Sequence, residues 1–413
     1  MARTSPSRPT ASRDTGTCPV DHTDYRVDRP VLWHYGHLDG GREQAAVAWN
    51  DSTPHGFWMV QRYDHVLEAL QMPDAFGNEQ VNAFDPSMAL KLLPNMLDQP
   101  EHSKLRKVLN PYFSPAAVKR VEPMAHERAA ALIDEVAQKG SCDFVAEFAI
   151  RYPTDLFLAL LGLPTSDGEM FVPWVEGIFG GFFGADEQAA RHSEESAANI
   201  MAYFADAVED RARHPKDPRT DLVSRLLEAR IDGELIPRAD VLTICLTLMT
   251  AGLDTTRSGL GYLLYHLARF PDDRRRITRE PELWPKAIEE ALRLYGLIIG
   301  GNGRLVTRDI EFHGAPMKKG DMVWIGNTSA NRDPRVYDNP DRFDPDRAGL
   351  NRHLAFGAGP HRCIGMHLAR SEMAIALREW HRRIPDYRLA DGEPLTERGG
   401  QLSLKSLPLE WDR

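Results

Sequence analysis

The segment His353–Arg370, "HLAFGAGPHRCIGMHLAR", places one cysteine among glycines, a proline, histidines and arginines. Gly357, Gly359 and Gly365 surround Cys363, and Pro360 stiffens the chain between them. Glycine permits left-handed backbone and close approach of another body, while proline fixes φ. From Met366 the run "MHLARSEMAIALREWHRR" has helical periodicity, which puts Cys363 near a helix N-terminus. Amide groups and the helix dipole favour a thiolate there, and Arg362 acts in the same direction. The plainer reading is a buried structural cysteine in a turn.

Three other groupings carry possible chemistry. "AGLDTT", Ala251–Thr256, sets a polar Asp-Thr-Thr inside an otherwise apolar helical run. A buried acid and alcohol need a partner or a task. Side by side, Asp254 and Thr255 are a pair able to move protons. A satisfied kink is the alternative, because Gly252 costs helix stability and a threonine hydroxyl can divert backbone bonding. "LDQPEHSKLRKVLNPYF" offers His102 and Arg106 at i, i+4, on one helix face or on a solvated basic face with Lys104 and Lys107. "EEALR" supplies Glu290 and Arg293 at i, i+3, a common surface pairing.

These groups need a helical scaffold to bring them together. "AAVKRVEPMAHERAAALIDEVAQ" and "EESAANIMAYFADAVEDRARHP" read as amphipathic helices, the second stopped by Pro215. The longest candidate runs from Pro237 to Pro271, with Pro237 in the first turn and Pro271 as the stop. Its first half is apolar on every face, as in a helix at the centre of a large core. Strand signals are fewer. "RDIEFHG" and "MVWIGN" flank the turn-rich "APMKKGD" and predict a hairpin, and "QLSLKSLPLEW" alternates like one more strand. The fold class is mainly α with a small β part.

The chain has 413 residues, 42% hydrophobic and 27% charged, ordinary for a soluble globular protein with a large core. A net charge of -10 argues against nucleic acid as the partner. The four cysteines are scattered, which excludes a disulfide scaffold and a cysteine-built zinc site and suggests a reducing cytoplasm. The N-terminus has no apolar leader, and the longest apolar run, Val241–Leu253, is too short to span a bilayer. The reading is one domain over residues 1–413, with residues 1–20 as a flexible tail.

Phe356, Gly357, Gly359, His361, Cys363 and Gly365 together give Phe-Gly-x-Gly-x-His-x-Cys-x-Gly. This resembles the heme-binding loop of the cytochrome P-450 family at every one of those positions. Ala-Gly-x-Asp-Thr, Glu-x-x-Arg and His-x-x-x-Arg occur in the family's order as well. The resemblance implies a P-450 fold with heme b (iron protoporphyrin IX) between the long central helix and the cysteine loop. Cys363 would ligate iron as a thiolate, whose electron donation favours O–O cleavage. Phe356 belongs to the same cofactor loop. Ala251 and Gly252 would leave room beside the heme, Thr255 would hydrogen-bond the bound oxygen, and Asp254 would feed it protons from solvent. His102, Arg106, Arg304 and His361 are the implied propionate ligands, with Phe113 following the first pair and Arg308 and His353 as lesser alternatives. Glu290, Arg293 and Arg342 would lock the core behind the loop without taking part in the chemistry.

The implied activity is monooxygenation: one oxygen atom from O2 enters a C–H bond of a small hydrophobic molecule. The length leaves no room for a flavin or iron–sulfur domain, so electrons would come from a separate ferredoxin and its reductase. Lys104, Lys107, Arg352 and Arg362 are candidates for the docking face. Phe179, Phe182, Phe183, Leu297, Ile298 and Ile299 suggest an apolar pocket, with Leu248 and Met249 either there or in the core and Gly180, Gly181, Gly300 and Gly301 adding room. A terpenoid, steroid, fatty acid or polyketide would suit it. A peroxide-driven peroxygenase and a non-catalytic heme-thiolate sensor are the alternatives. The acid–alcohol pair counts against both.

Overall fold

The central helix, Arg238–Arg269, is 32 residues long, about 48 Å at the usual rise. The structure is a computed structural model that describes residues 14–412 except 88–90, 183–186 and 300–301. Pro237 caps the central helix and Pro271 opens the next one, Pro271–Arg279, so the proline ends one helix by starting another. The helix is buried along most of its length. Within "AGLDT", Ala251, Gly252 and Thr255 keep accessible surface while Leu253 and Asp254 are buried. Positions i, i+1 and i+4 share a face, so one stripe of the rod opens onto an internal space. The helix runs through Gly252 without a break. Thr255 Oγ1 donates to the Ala251 carbonyl (2.8 Å) and Ser258 Oγ to that of Asp254 (2.7 Å), so these hydroxyls are satisfied within the helix.

Helices enclose this rod. Met366–Arg383, which follows the cysteine loop, packs on Pro115–Ala137 and on the central helix. Gly168–Phe182 and Glu187–Arg213 pair with each other and cover the rod from another side. The principal sheet has six strands, in the order Val20–Asp21, Val47–Asn50, Phe57–Val60, Met322–Ile325, Gly303–Val306 and Phe76–Gly77.

The expected hairpin is replaced by a shorter one. Ile310–Phe312 pairs with Ala315–Met317 across His313 (φ 49°) and Gly314 (φ 85°), a two-residue turn with both φ positive. Met322–Ile325 joins the main sheet instead, parallel to Phe57–Val60 and antiparallel to Gly303–Val306. Its four residues are all buried, and such an unalternating run belongs inside a sheet with a neighbour on each edge. The C-terminal strand also divides. Ser403–Leu404 pairs with Thr396–Arg398, while Pro408–Glu410 pairs with Arg388–Leu389 and Ser141–Asp143. Residues 1–13 of the expected tail lie outside the described residues. Residues 14–20 are not free: Cys18 is buried and Val20 pairs with Trp49.

Behind the cysteine loop lies a buried ionic network. Arg293 Nε and Nη2 donate to Glu290 (2.7 and 2.8 Å), and neither side chain is accessible. Arg293 Nη1 donates to the carbonyls of Asn331 and Pro340 (2.9 and 2.8 Å). The third side chain is Arg347, whose Nε donates to Glu290 Oε1 (3.0 Å). This corrects the expected Arg342, which is exposed and contributes its carbonyl, accepting from Arg293 and Arg347. "DRFDPDR" ends on two arginines five apart, and only Arg347 is turned inward. A buried charge is tolerable when every lone pair is met, and costly once a partner is removed. Arg347→Ala is therefore expected to lower unfolding stability by about 3 kcal/mol, while Arg342→Ala stays within about 0.5 kcal/mol. Equal losses in denaturant titrations would contradict this network.

Candidate active site

Cys363 is set by backbone geometry. Gly357 (φ 67°) and Gly359 (φ 68°) take left-handed conformations, and a Cβ on Gly359 would lie 2.3 Å from the Leu70 carbonyl oxygen. The Cys363 amide donates to the Phe356 carbonyl (2.9 Å) and closes the loop. Cys18, Cys142 and Cys245 are buried; Cys363 alone of the four is accessible, and its surface faces a cavity. Burial raises its thiol pKa and outweighs the Gly365 amide, Arg106, Arg370 and Arg362, which act downward. The direction of the Gly365 amide and of Arg362 is the one read from the sequence, and a metal ion bound on the cavity side would act in the same direction.

Phe356, Ala251, Gly252, Thr255, His102, Arg106, Arg304 and His361 line the same cavity as Cys363. The basic residues form one edge. The His102 and His361 rings stack with centroids 3.8 Å apart. Arg106 donates to the Arg362 carbonyl and to Asn110 Oδ1, both at 3.0 Å. Arg304 is buried and donates to the Gly303 carbonyl (2.7 Å). Both ring nitrogens of His361 are buried without a partner. Burial pushes His102 down to about 4 and His361 to about 3, helped by their basic neighbours. Arg304 falls to about 10 through burial and stays charged at neutral pH. Two guanidiniums, the unpartnered His361 ring and the stacked His102 ring at one rim fit the carboxylates of a flat dianionic ligand. Heme fits this cavity: Cys363 below, this edge for the propionates, and the Ala251–Gly252 stripe alongside, where a Cβ on Gly252 would have only Phe157 within 4 Å, at 3.8 Å.

Two lesser alternatives lie elsewhere. His353 Nε2 and Arg370 both bond Glu289 (2.9, 2.6 and 2.7 Å). Burial alone would raise Glu289, but these two partners hold it at about 2. Arg370 also covers the Phe356 ring at 4.4 Å. Arg308 is half-exposed and 3.7 Å from Asp74.

Asp254 departs from expectation. It has no accessible surface and does not line the cavity. Its Oδ2 accepts from Arg398 Nη2 (2.5 Å) and Gln401 Nε2 (2.7 Å), and Arg257 Nε lies 3.8 Å from Oδ1. Solvent does not reach it in this arrangement. Of the expected substrate contacts, Phe179, Leu248, Leu297 and Ile298 line the cavity, joined by Phe157 and Ile178. Met249 and Ile299 belong to the core. Phe183, Gly300 and Gly301 lie outside the described residues, as does the side chain of Phe182.

Comparison with known proteins agrees with this geometry. The family model described as "Cytochrome P450" matches residues 170–382. The "Probable cytochrome P450 127A1" of Sinorhizobium fredii is 35% identical over 366 residues, covering 88% of this chain and 85% of that protein. The chain belongs to the cytochrome P-450 family. The "Mycinamicin IV hydroxylase/epoxidase" of Micromonospora griseorubida is 33% identical, covering 82% and 84% of the two chains. The crystal structure of CYP101J2 superposes with a TM-score of 0.84 at 29% identity over 100% of both chains. The chain is a P-450 monooxygenase with the P-450 fold, and its cofactor is heme b. No helix among the described residues is long and apolar enough to cross a membrane.

The P-450 cavity also contains residues that no sequence signal marked. Gln401 lies just beyond two glycines in the tail. Glu372, nine residues after Cys363, falls in a helical run where its inward turn is hidden by ordinary amphipathic spacing. It is buried, accepts from Thr256, and is pushed by burial up to about 8. Its folded pKa exceeds the unfolded value, so stability falls as pH rises from about 4.5 to about 8, by roughly 1.4 kcal/mol per unit. Glu372→Gln is expected to melt higher than wild type at pH 8 and nearly equally at pH 5; a pH-independent difference would contradict a protonated buried acid.

Proposed function

We propose that this P-450 hydroxylates a small, uncharged, hydrophobic molecule, using electrons from a separate acidic ferredoxin. The observation that carries the substrate class is the cavity wall. Its ionisable side chains among the described residues are the His102–Arg106–Arg304–His361 edge, Cys363 and Glu372. The remaining wall is apolar, amide or hydroxyl. A carboxylate or ammonium substrate would find no counter-ion there and would bear its full desolvation cost. This favours a terpenoid, steroid or polyketide over a free fatty acid.

When bound, heme activates O2 with two electrons so that one oxygen atom enters a substrate C–H bond. Cys363 holds the iron from the loop side. His102, Arg106, Arg304 and His361 hold the carboxylate rim. Ala251 and Gly252 keep the helix surface low, and Phe179, Leu297 and Ile298 press substrate toward the reaction centre and exclude water. Thr255, on the open stripe, would hold a proton at its Oγ1 toward the oxygen, and Asp254, once its side chain leaves Arg398 and Gln401, would supply the two protons with which the second oxygen atom leaves as water.

Lys107, Arg352 and Arg362 are exposed on the cysteine-loop side and suit an acidic partner. Lys104 is a weaker candidate, since Asp232 (2.6 Å) and Glu101 (3.2 Å) already pair with it. The scattered, unpaired cysteines are consistent with a cytoplasmic setting.

One assay tests this reading: turnover of a neutral apolar substrate with reduced acidic ferredoxin. Wild type is expected to couple electrons to product. Thr255→Ala should consume electrons but release hydrogen peroxide, and charge reversal at Lys107 and Arg362 should slow reduction at low salt. Turnover with hydrogen peroxide and none with ferredoxin would favour the peroxygenase instead.

A further inference from the structure

The residues that hold Asp254 belong to the substrate cavity. Arg398 and Gln401 lie on the hairpin Thr396–Leu404, and Gln401 lines the cavity with Phe179 and Ile298. The Arg398 guanidinium covers the Phe179 ring at 5.4 Å, and its Nε donates to the Gln401 carbonyl (3.2 Å). The hairpin tip is continuous with the other wall: Leu402 N donates to the Leu297 carbonyl (2.7 Å), and Ile299 N to that of Gly400 (3.0 Å). The base of the hairpin is fixed separately. Glu397 is buried, accepts from Tyr262 of the central helix (2.7 Å), and bonds His34 (2.8 Å). Asp254 and Tyr262 are eight residues apart, so the central helix grips the hairpin at two levels of one face. The lower grip is enclosed. The upper one is reached from the cavity.

We infer that Arg398 and Gln401 are positioning residues that hold Asp254 away from the cavity, and that a guest seated against Phe179 and Gln401 competes with that hold and releases it. Gln401 cannot yield space to a guest and keep its bond to Asp254 in place, and movement of Phe179 removes the surface on which Arg398 rests. Guest binding and the Asp254 contacts thereby oppose one another, and such opposition is reciprocal. Protons would then be supplied where a substrate is seated. Arg257 is held apart from this pair, its Nη2 donating to Ser403 Oγ (3.0 Å), so a released Asp254 would keep one cationic neighbour. The use of the released acid rests on the reading of Asp254 as proton source; the coupling itself does not.

The test is binding, followed as the Soret shift of the heme-loaded enzyme titrated with two azoles. Clotrimazole is bulky enough to press on the cavity wall, whereas imidazole is small enough to bind iron without doing so. Gln401→Leu and Arg398→Met are each expected to tighten clotrimazole by about fivefold or more and to leave imidazole unchanged. Arg398→Lys should restore the wild-type value. Asp254→Asn should also tighten clotrimazole, and adding Arg398→Met to it should gain nothing further. Arg398→Met uncovers a buried acid, so Gln401→Leu carries the test if that variant does not fold. Unchanged or weaker clotrimazole binding in Gln401→Leu overturns the proposal. Tighter binding in Asp254→Asn with full product per electron would instead uphold the coupling and remove Asp254 from proton supply.

Discussion

One sulfur facing an internal cavity sets the terms for the rest of this molecule. The Cys363 thiol sits on a loop whose amides and guanidiniums favour its anion, yet its enclosure raises its pKa beyond what they offset. A metal ion on the cavity side of the sulfur would favour that anion. The edge of the cavity carries the guanidiniums of Arg106 and Arg304 and the unpartnered ring nitrogens of His361. An iron porphyrin with two carboxylates suits both the sulfur and this edge.

Holding that arrangement demands rigidity beneath the loop. The Glu290–Arg293–Arg347 network is satisfied by side chains and by the carbonyls of residues 331, 340 and 342, so it ties one helix to the irregular chain leading into the cysteine loop. The Glu289–His353–Arg370 group does the same on the flank and carries the Phe356 ring. Neither group reaches the reacting side. The first is fully buried, which makes it intolerant of partial loss, while Glu289 and Arg370 of the second are part-exposed. On the opposite side the wall is apolar and contains few fixed charges, a surface suited to different neutral guests.

Much of this was legible in the sequence because the constraints there are local. The left-handed glycines, the cysteine and the helix start all fall within eleven residues, and the fully apolar rod declares its burial. Residues whose partners come from distant segments were not legible. Arg347 and Arg342 look equivalent in "NPDRFDPDR", and only the packing of Glu290 chooses between them. Asp254 reads as a solvent-fed acid until the C-terminal hairpin, some 145 residues later, is found covering it. The hairpin at His313–Gly314 was missed because its turn is two residues long and the more conspicuous "APMKKGD" lies just beyond it. Glu372 was hidden because nothing in a helical repeat shows that a carboxyl is buried beside a threonine.

The central claim is that the Cys363 sulfur is the protein ligand of the heme iron. The most direct measurement is the carbon monoxide difference spectrum of the reduced holoprotein, recorded for wild type and Cys363→His. The account predicts the long-wavelength Soret band of thiolate ligation in wild type and, because the carboxylate rim still retains heme, a band at the histidine-ligated position in the variant. An identical long-wavelength band in both proteins would contradict it.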